Sequence, residues 1–172
     1  MQNEPSPLRL RVDDETRAGV FATGLVVYTG THEFVLDFIQ NMESPIRVMA
    51  RVVVPHAAMD AMLDVLRQGA SSPAHPPGTL MLGVAPSLAG TPAPTTTKDT
   101  NQVYDDIKVP DALHKGAYAN ALITAHNDQV MRMDFVAQFV PQAVLSARVF
   151  VTKAEAGSML ATVEQAVRGR NV

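Results

Sequence analysis

From Glu33 to Phe38 the side chains alternate in character: Phe34, Leu36 and Phe38 share one face, and Glu33, Val35 and Asp37 share the other. A period of two marks a strand in a sheet covered on one side. Met131, Met133 and Phe135 repeat the apolar face, with Arg132 and Asp134 opposite. Before each alternating strand the pattern predicts another strand, at about residues 20–28 and 117–125. Short polar turns follow these strands, Thr29-Gly30-Thr31-His32 in one place and His126-Asn127-Asp128 in the other, and both suit hairpins. Third strands are expected at about residues 46–54 and 143–151. The period then lengthens. Met59, Met62, Leu63 and Leu66 fall at i, i+3, i+4 and i+7, and Ala156, Met159, Leu160, Val163 and Val167 form a similar stripe. Each stripe predicts an amphipathic helix lying on a sheet. Thr152 and Glu155 have the spacing of a capping box. Pro55 suits a first helical position, but Val54 has no side-chain oxygen to cap it, which predicts a weaker start for the first helix by about 1 kcal/mol.

The pattern is written twice at one spacing. Gly19, Asp37, Arg51 and Leu63 correspond to Gly116, Asp134, Arg148 and Leu160, each 97 residues on (116 − 19 = 97), with no gap from Gly19 to Gln68. Such self-similarity indicates repeated architecture. The expected fold class is α+β: two tandem repeats of three antiparallel strands plus one helix, related by a pseudo-two-fold axis. The expected division is a disordered tail at 1–7, repeat 1 at 8–68, a linker rich in Pro, Ala and Thr at 69–103, and repeat 2 at 104–172. A unit of roughly 60 residues is marginal alone, so the repeats are expected to share a core.

Composition removes several functions. The net charge is −3 and there is no basic cluster, which argues against a nucleic-acid surface. With no Cys there is no disulfide framework, thiolate nucleophile or Cys-based metal site. No apolar run approaches the roughly 20 residues of a membrane span, and the N-terminus lacks the layout of a signal peptide. A cytoplasmic location is expected. The histidines (His32, His56, His75, His114 and His126) have no helical metal-ligand spacing. Neither a P-loop nor a dinucleotide fingerprint occurs, and there is no Gly-x-Ser-x-Gly. No cofactor and no metal are expected.

Asp37 with Arg51, and Asp134 with Arg148, lie on consecutive strands where a carboxylate and a guanidinium can pair across the ladder. They are expected to be structural ion pairs that set the register. Inside the linker, Leu80, Met81, Leu82, Val84 and Leu88 form an apolar segment over 80–88. It is expected to pack back on its own domain or to meet a partner. Phe139 and Val140 place an apolar tip on a hairpin, and with the linker segment they are the candidate interface. The many Met residues suit adaptable core packing, or alternatively a promiscuous binding surface.

Several of these residues resemble a known family. Ile107-Lys108-Val109-Pro110-Asp111, Gly116-Ala117-Tyr118-Ala119-Asn120, Met133-Asp134-Phe135 and Arg148-Val149 are similar to domain of unknown function family 3467, small bacterial and archaeal proteins. Repeat 1 carries Glu33-Phe34-Val35-Leu36-Asp37-Phe38 but has Phe21-Ala22-Thr23 in place of Tyr-Ala-Asn. Repeat 2 keeps Tyr118-Ala119-Asn120 but has Val130-Met131 in place of Glu-Phe. Members of that family are usually single-copy, so the resemblance implies a fused homodimer. It implies no activity.

The expected function is a non-enzymatic assembly or adaptor protein acting through a protein partner or self-association. The alternative is a chaperone-like polypeptide-binding protein, since the strand-then-helix order loosely resembles the SecB export chaperone. An enzyme or a small-ligand binder comes third.

Overall fold

The computed structural model describes residues 9–71, 107–139 and 142–170. The fold class is α+β, with two five-stranded sheets and three α-helices among the described residues. The tail expected at 1–7, the linker segment Leu80, Met81, Leu82, Val84 and Leu88, and the tip residue Val140 lie outside the described residues.

One sheet is built on an antiparallel meander of β3 (Gly24–Thr29), β4 (Glu33–Gln40) and β5 (Ile46–Pro55). Two short strands from far along the chain, β6 (Ile107–Lys108) and β7 (Ala117–Tyr118), extend it parallel to β5. The other sheet is built on β8 (Ala121–His126), β9 (Val130–Phe139) and β10 (Gln142–Thr152). Its extra strands come from the start of the chain. These are β1 (Arg9–Arg11) and β2 (Val20–Phe21), both parallel to β10. Each meander therefore borrows its parallel strands from the other half.

This exchange corrects the expected first strands. Residues 20–28 do not form one strand. Val20–Phe21 pairs with β10 and Gly24–Thr29 with β4, so the chain crosses from one sheet to the other at Ala22 and Thr23. Ala22 N–H donates to Phe150 O (2.9 Å), and Thr23 N–H donates to Ile39 O (2.8 Å) in the opposite sheet. Residues 117–125 break in the same way, with Ala119 N–H on Val53 O and Asn120 N–H on Val136 O. Ala22 and Ala119 are fully buried at the crossings. Period-two patterning records which face is covered, not which sheet does the covering, so it cannot reveal such a crossing.

The helices are exchanged too. α2 (His56–Ser71) follows β5 but lies chiefly against β8, and α3 (Lys153–Gly169) follows β10 but lies chiefly against β3. The helices also pack on each other. A single main core results, and it draws Phe34, Phe38, Met59 and Leu63 together with Met131, Phe135, Met159 and Val163. The expectation that each helix closes its own three strands is corrected, because the apolar stripes of α2 and α3 are buried by the opposite meander. Full burial of one such side chain stabilises by about 1.5–3 kcal/mol, so neither half retains its core without the other. Phe38 and Phe135 meet in this core with ring centroids 5.4 Å apart. On the helices Arg67 Nε donates to Glu164 Oε1 at 2.9 Å.

Helix starts are tied to the hairpin turns. His56 N–H donates to His32 O (2.9 Å) and Lys153 N–H to Gln129 O (2.8 Å). Thr152 Oγ1 accepts from Glu155 N–H at 3.1 Å, one limb of the predicted capping box. Pro55 closes β5 and does not open α2. A short helix, α1 (Asp14–Ala18), capped by Asp13, precedes β2. A 3-10 turn at Asp111–Leu113 precedes β7. Periodicity missed both because neither buries an apolar stripe.

Candidate functional site

Asp37 stands directly opposite Arg51 in the β4–β5 ladder, and Asp134 directly opposite Arg148 in β9–β10. Both pairs are bidentate. Arg51 Nε and Nη2 donate to Asp37 Oδ1 and Oδ2 at 2.7 and 2.6 Å. Arg148 Nε and Nη2 donate to Asp134 Oδ1 and Oδ2 at 2.7 and 2.9 Å. Hydrogen bonding to its carboxylate raises the pKa of each guanidinium above its ordinary value. Although these aspartates sit on the face away from the core, Asp37 is only 1% exposed and Asp134 only 3%. A carboxylate that deep is tolerated when its charge is paired and its oxygens accept hydrogen bonds.

The exchanged segments form the roof over the pairs. Gly19 and Gly116 have φ of +70° and +68° and pass close over the arginine stems. A Cβ on Gly19 would lie 2.8 Å from Arg148 Cγ, and one on Gly116 would lie 3.1 Å from Arg51 Cγ. Glycine is needed there both for the left-handed backbone and for the close approach. Arg148 Nη1 also donates to Arg17 O at 3.1 Å, which ties α1 to the pair. The family-like motif thus has a structural reading. Its glycine lets the chain pass over the arginine, its aromatic residue pairs in parallel, its alanine crosses between sheets, and its last residue braces the next ladder. Asn120 does this by exchanging two hydrogen bonds with the backbone of Gln138, at 3.0 and 2.7 Å. Thr23 takes this place in the other half, accepting from Asn41 N–H at 3.0 Å.

Beside Arg51 an open cleft of about 460 Å3 runs between the outer face of β4–β5 and the segment leading into β7. Val35, Val53, Pro55 and Tyr118 give it apolar walls, and His32, Glu33, Arg51, His114 and Lys115 supply polar groups. Sequence reading did not find this cleft, because His114, Lys115 and Tyr118 reach it only through the strand exchange. Tyr118 also stacks on Phe139 (centroids 6.1 Å apart, 22° between planes). This pair is open to solvent, with Tyr118 43% and Phe139 61% exposed. Among the described residues no group of three or more His, Asp or Glu stands close enough together to hold a metal ion. No described helix is long and apolar enough to cross a membrane.

These features define an α+β protein of two interleaved sheets locked by buried carboxylate–guanidinium pairs. The profile of a family described as "Protein of unknown function (DUF3467)" matches residues 1–72, which supports the family likeness for that part of the chain. No curated protein and no solved structure matches.

Proposed function

We propose that the chain is a fused pseudo-dimer that works as a non-enzymatic adaptor or assembly protein. Two contacts support the pseudo-dimer. Phe38 meets Phe135, and Arg67 meets Glu164, and each pair is separated by 97 residues, the spacing of the sequence duplication. In a two-fold dimer a residue touches its own counterpart only on the symmetry axis. Both contacts are of the kind expected where such an axis would pass, and they support this reading. In a true homodimer the second contact would set like charges together, whereas the fused chain carries opposite charges there.

The observation that carries the adaptor reading is the exposed Tyr118–Phe139 stack. Exposed aromatic pairs are what protein interfaces bury, and they are common energetic anchors. The chaperone-like alternative called for Met-rich apolar faces. Met59, Met62, Met131, Met133 and Met159 are instead in the core, and Met42 is the described methionine that is exposed. The test is affinity purification of tagged protein from its native host, beside a Phe139→Asp variant of unchanged melting temperature. One stoichiometric partner, lost in the variant, is the expected result. Retention of that partner by the variant, or recovery of many unfolded polypeptides, would count against the adaptor.

A further inference from the structure

We infer that the cleft beside Arg51 binds a single carboxylate carried on an apolar, ring-sized body. Asp37 engages two of the three guanidinium nitrogens of Arg51, Nε and Nη2. The third, Nη1, has no acceptor among the described residues, and the Arg51 side chain lines the cleft. The bidentate bond to a buried aspartate fixes the plane of the guanidinium, so its remaining N–H groups are a preorganised donor. At the corresponding place in the other half that position is already taken, because Arg148 Nη1 donates to the Arg17 carbonyl.

The comparison of the two halves extends further. Val35 and Val53 in the cleft wall correspond, 97 residues on, to Arg132 and Phe150. Arg132 Nε lies 3.3 Å from Asp134 Oδ2, so a second guanidinium sits over that pair. Phe150 reaches to within 2.7 Å of where a Cβ on Gly19 would stand. Small apolar side chains thus border the cleft where large ones stand on the other side.

The walls indicate the ligand. The volume of about 460 Å3 is in the range of small-ligand pockets. Val35, Val53, Pro55 and Tyr118 suit an apolar body. Donor side chains outnumber acids in the lining, where Arg51, Lys115, His32 and His114 stand with one acid, Glu33. Asp37 balances the charge of Arg51, and Glu33 offsets that of Lys115 in formal charge only, with no ion pair between them among the described residues. The site therefore selects by placed donors more than by net charge, and this fits one carboxylate better than a dianion. The inference does not depend on partner docking, because a small molecule alone can test it.

The experiment is a titration of the 15N-labelled full chain with 3-phenylpropionate, and with 3-phenylpropionamide, which keeps the body and removes the charge. N-acetylated Gly-Gly-Phe with a free or an amidated C-terminus forms the second arm. Saturable shifts at Val35, Val53, Lys115 and Tyr118 are expected for the acids, with each amide bound about tenfold more weakly, as the loss of a hydrogen bond to a charged group implies. Tighter binding of the free-acid peptide identifies the source as a polypeptide C-terminus, and tighter binding of 3-phenylpropionate identifies a free small carboxylate. Val53→Phe, which copies Phe150, should abolish the response. Should that variant fail to fold, Lys115→Gln alters only an exposed side chain and should weaken binding by about threefold or more. Equal binding of acid and amide overturns the inference. So do shifts centred away from these residues, and so does the absence of saturation at roughly ten times a millimolar dissociation constant.

Discussion

Asp37 and Asp134 each stand opposite an arginine in register, yet the two pairs are not energetically equal. Asp37 has Arg51 as its cation, whereas Asp134 has Arg148 and also Arg132 at 3.3 Å. Removing the arginine from a buried pair leaves an uncompensated charge, which costs about 3–5 kcal/mol. Arg51→Met should therefore lose about that much in urea unfolding. Arg148→Met should fall at the low end of the same range, because the second guanidinium remains near the stranded carboxylate. Equal losses would show that Arg132 contributes nothing to Asp134, since Arg132 Nε lies close enough to the carboxylate for an ion pair but lacks hydrogen-bond geometry. The pairing itself was legible in the sequence, since one aspartate and one arginine recur at fixed positions on neighbouring strands. The depth was not legible. Alternation put the aspartates on the outer face, and only the exchanged segments, distant in sequence, cover that face.

At the scale of elements, the hairpins and the two long helices followed from local periodicity, because each hides an apolar face from water within a short stretch of chain. The parallel strands β1, β2, β6 and β7 did not follow. They are two or three residues long, and their partners lie far away along the chain. The bulges at Met49 and Ser146 were equally invisible, since one unpaired residue leaves the apolar pattern almost unchanged. What the sequence did carry was the glycine before β2 and before β7, Gly19 and Gly116. Gly116→Ala should destabilise by at least about 1 kcal/mol, because alanine tolerates positive φ poorly. Its Cβ would also lie 2.8 Å from Val53 Cγ2 and 3.1 Å from Arg51 Cγ. Hydrogen exchange gives the specific readout. Protection should fall first at Ala119 N–H, which bonds to Val53 O, before the β4–β5 ladder opens. Simultaneous loss across the whole sheet would show that β7 and the meander form one cooperative unit.

For the whole molecule the decisive feature is that neither half encloses its own core. α2 rests on β8, α3 rests on β3, and each meander is completed by strands from the other half. Separating the halves would expose the Phe38–Phe135 contact, strip both helices of the surface they cover, and unroof Asp37 and Asp134. A protease site introduced between residues 72 and 106 tests this without changing any described contact. After cleavage the two pieces should co-elute as one species in size-exclusion chromatography, and should part only on unfolding. Refolding either piece alone should yield aggregate or a homodimer and no compact monomer, because a unit of this size without its partner lacks enough buried apolar surface. In a homodimer of the first piece Arg67 would face its own copy in place of Glu164, which here holds it at 2.9 Å. Mixing the two pieces should therefore give the heterodimer in preference to either homodimer. The bias from this surface contact is modest, about 0–1 kcal/mol, and the rest of the preference comes from side chains that differ between the halves, such as Val53 against Phe150. Independent monomeric folding of either piece would mean that the exchanged strands and helices are dispensable, and the pseudo-dimer reading would fail with them.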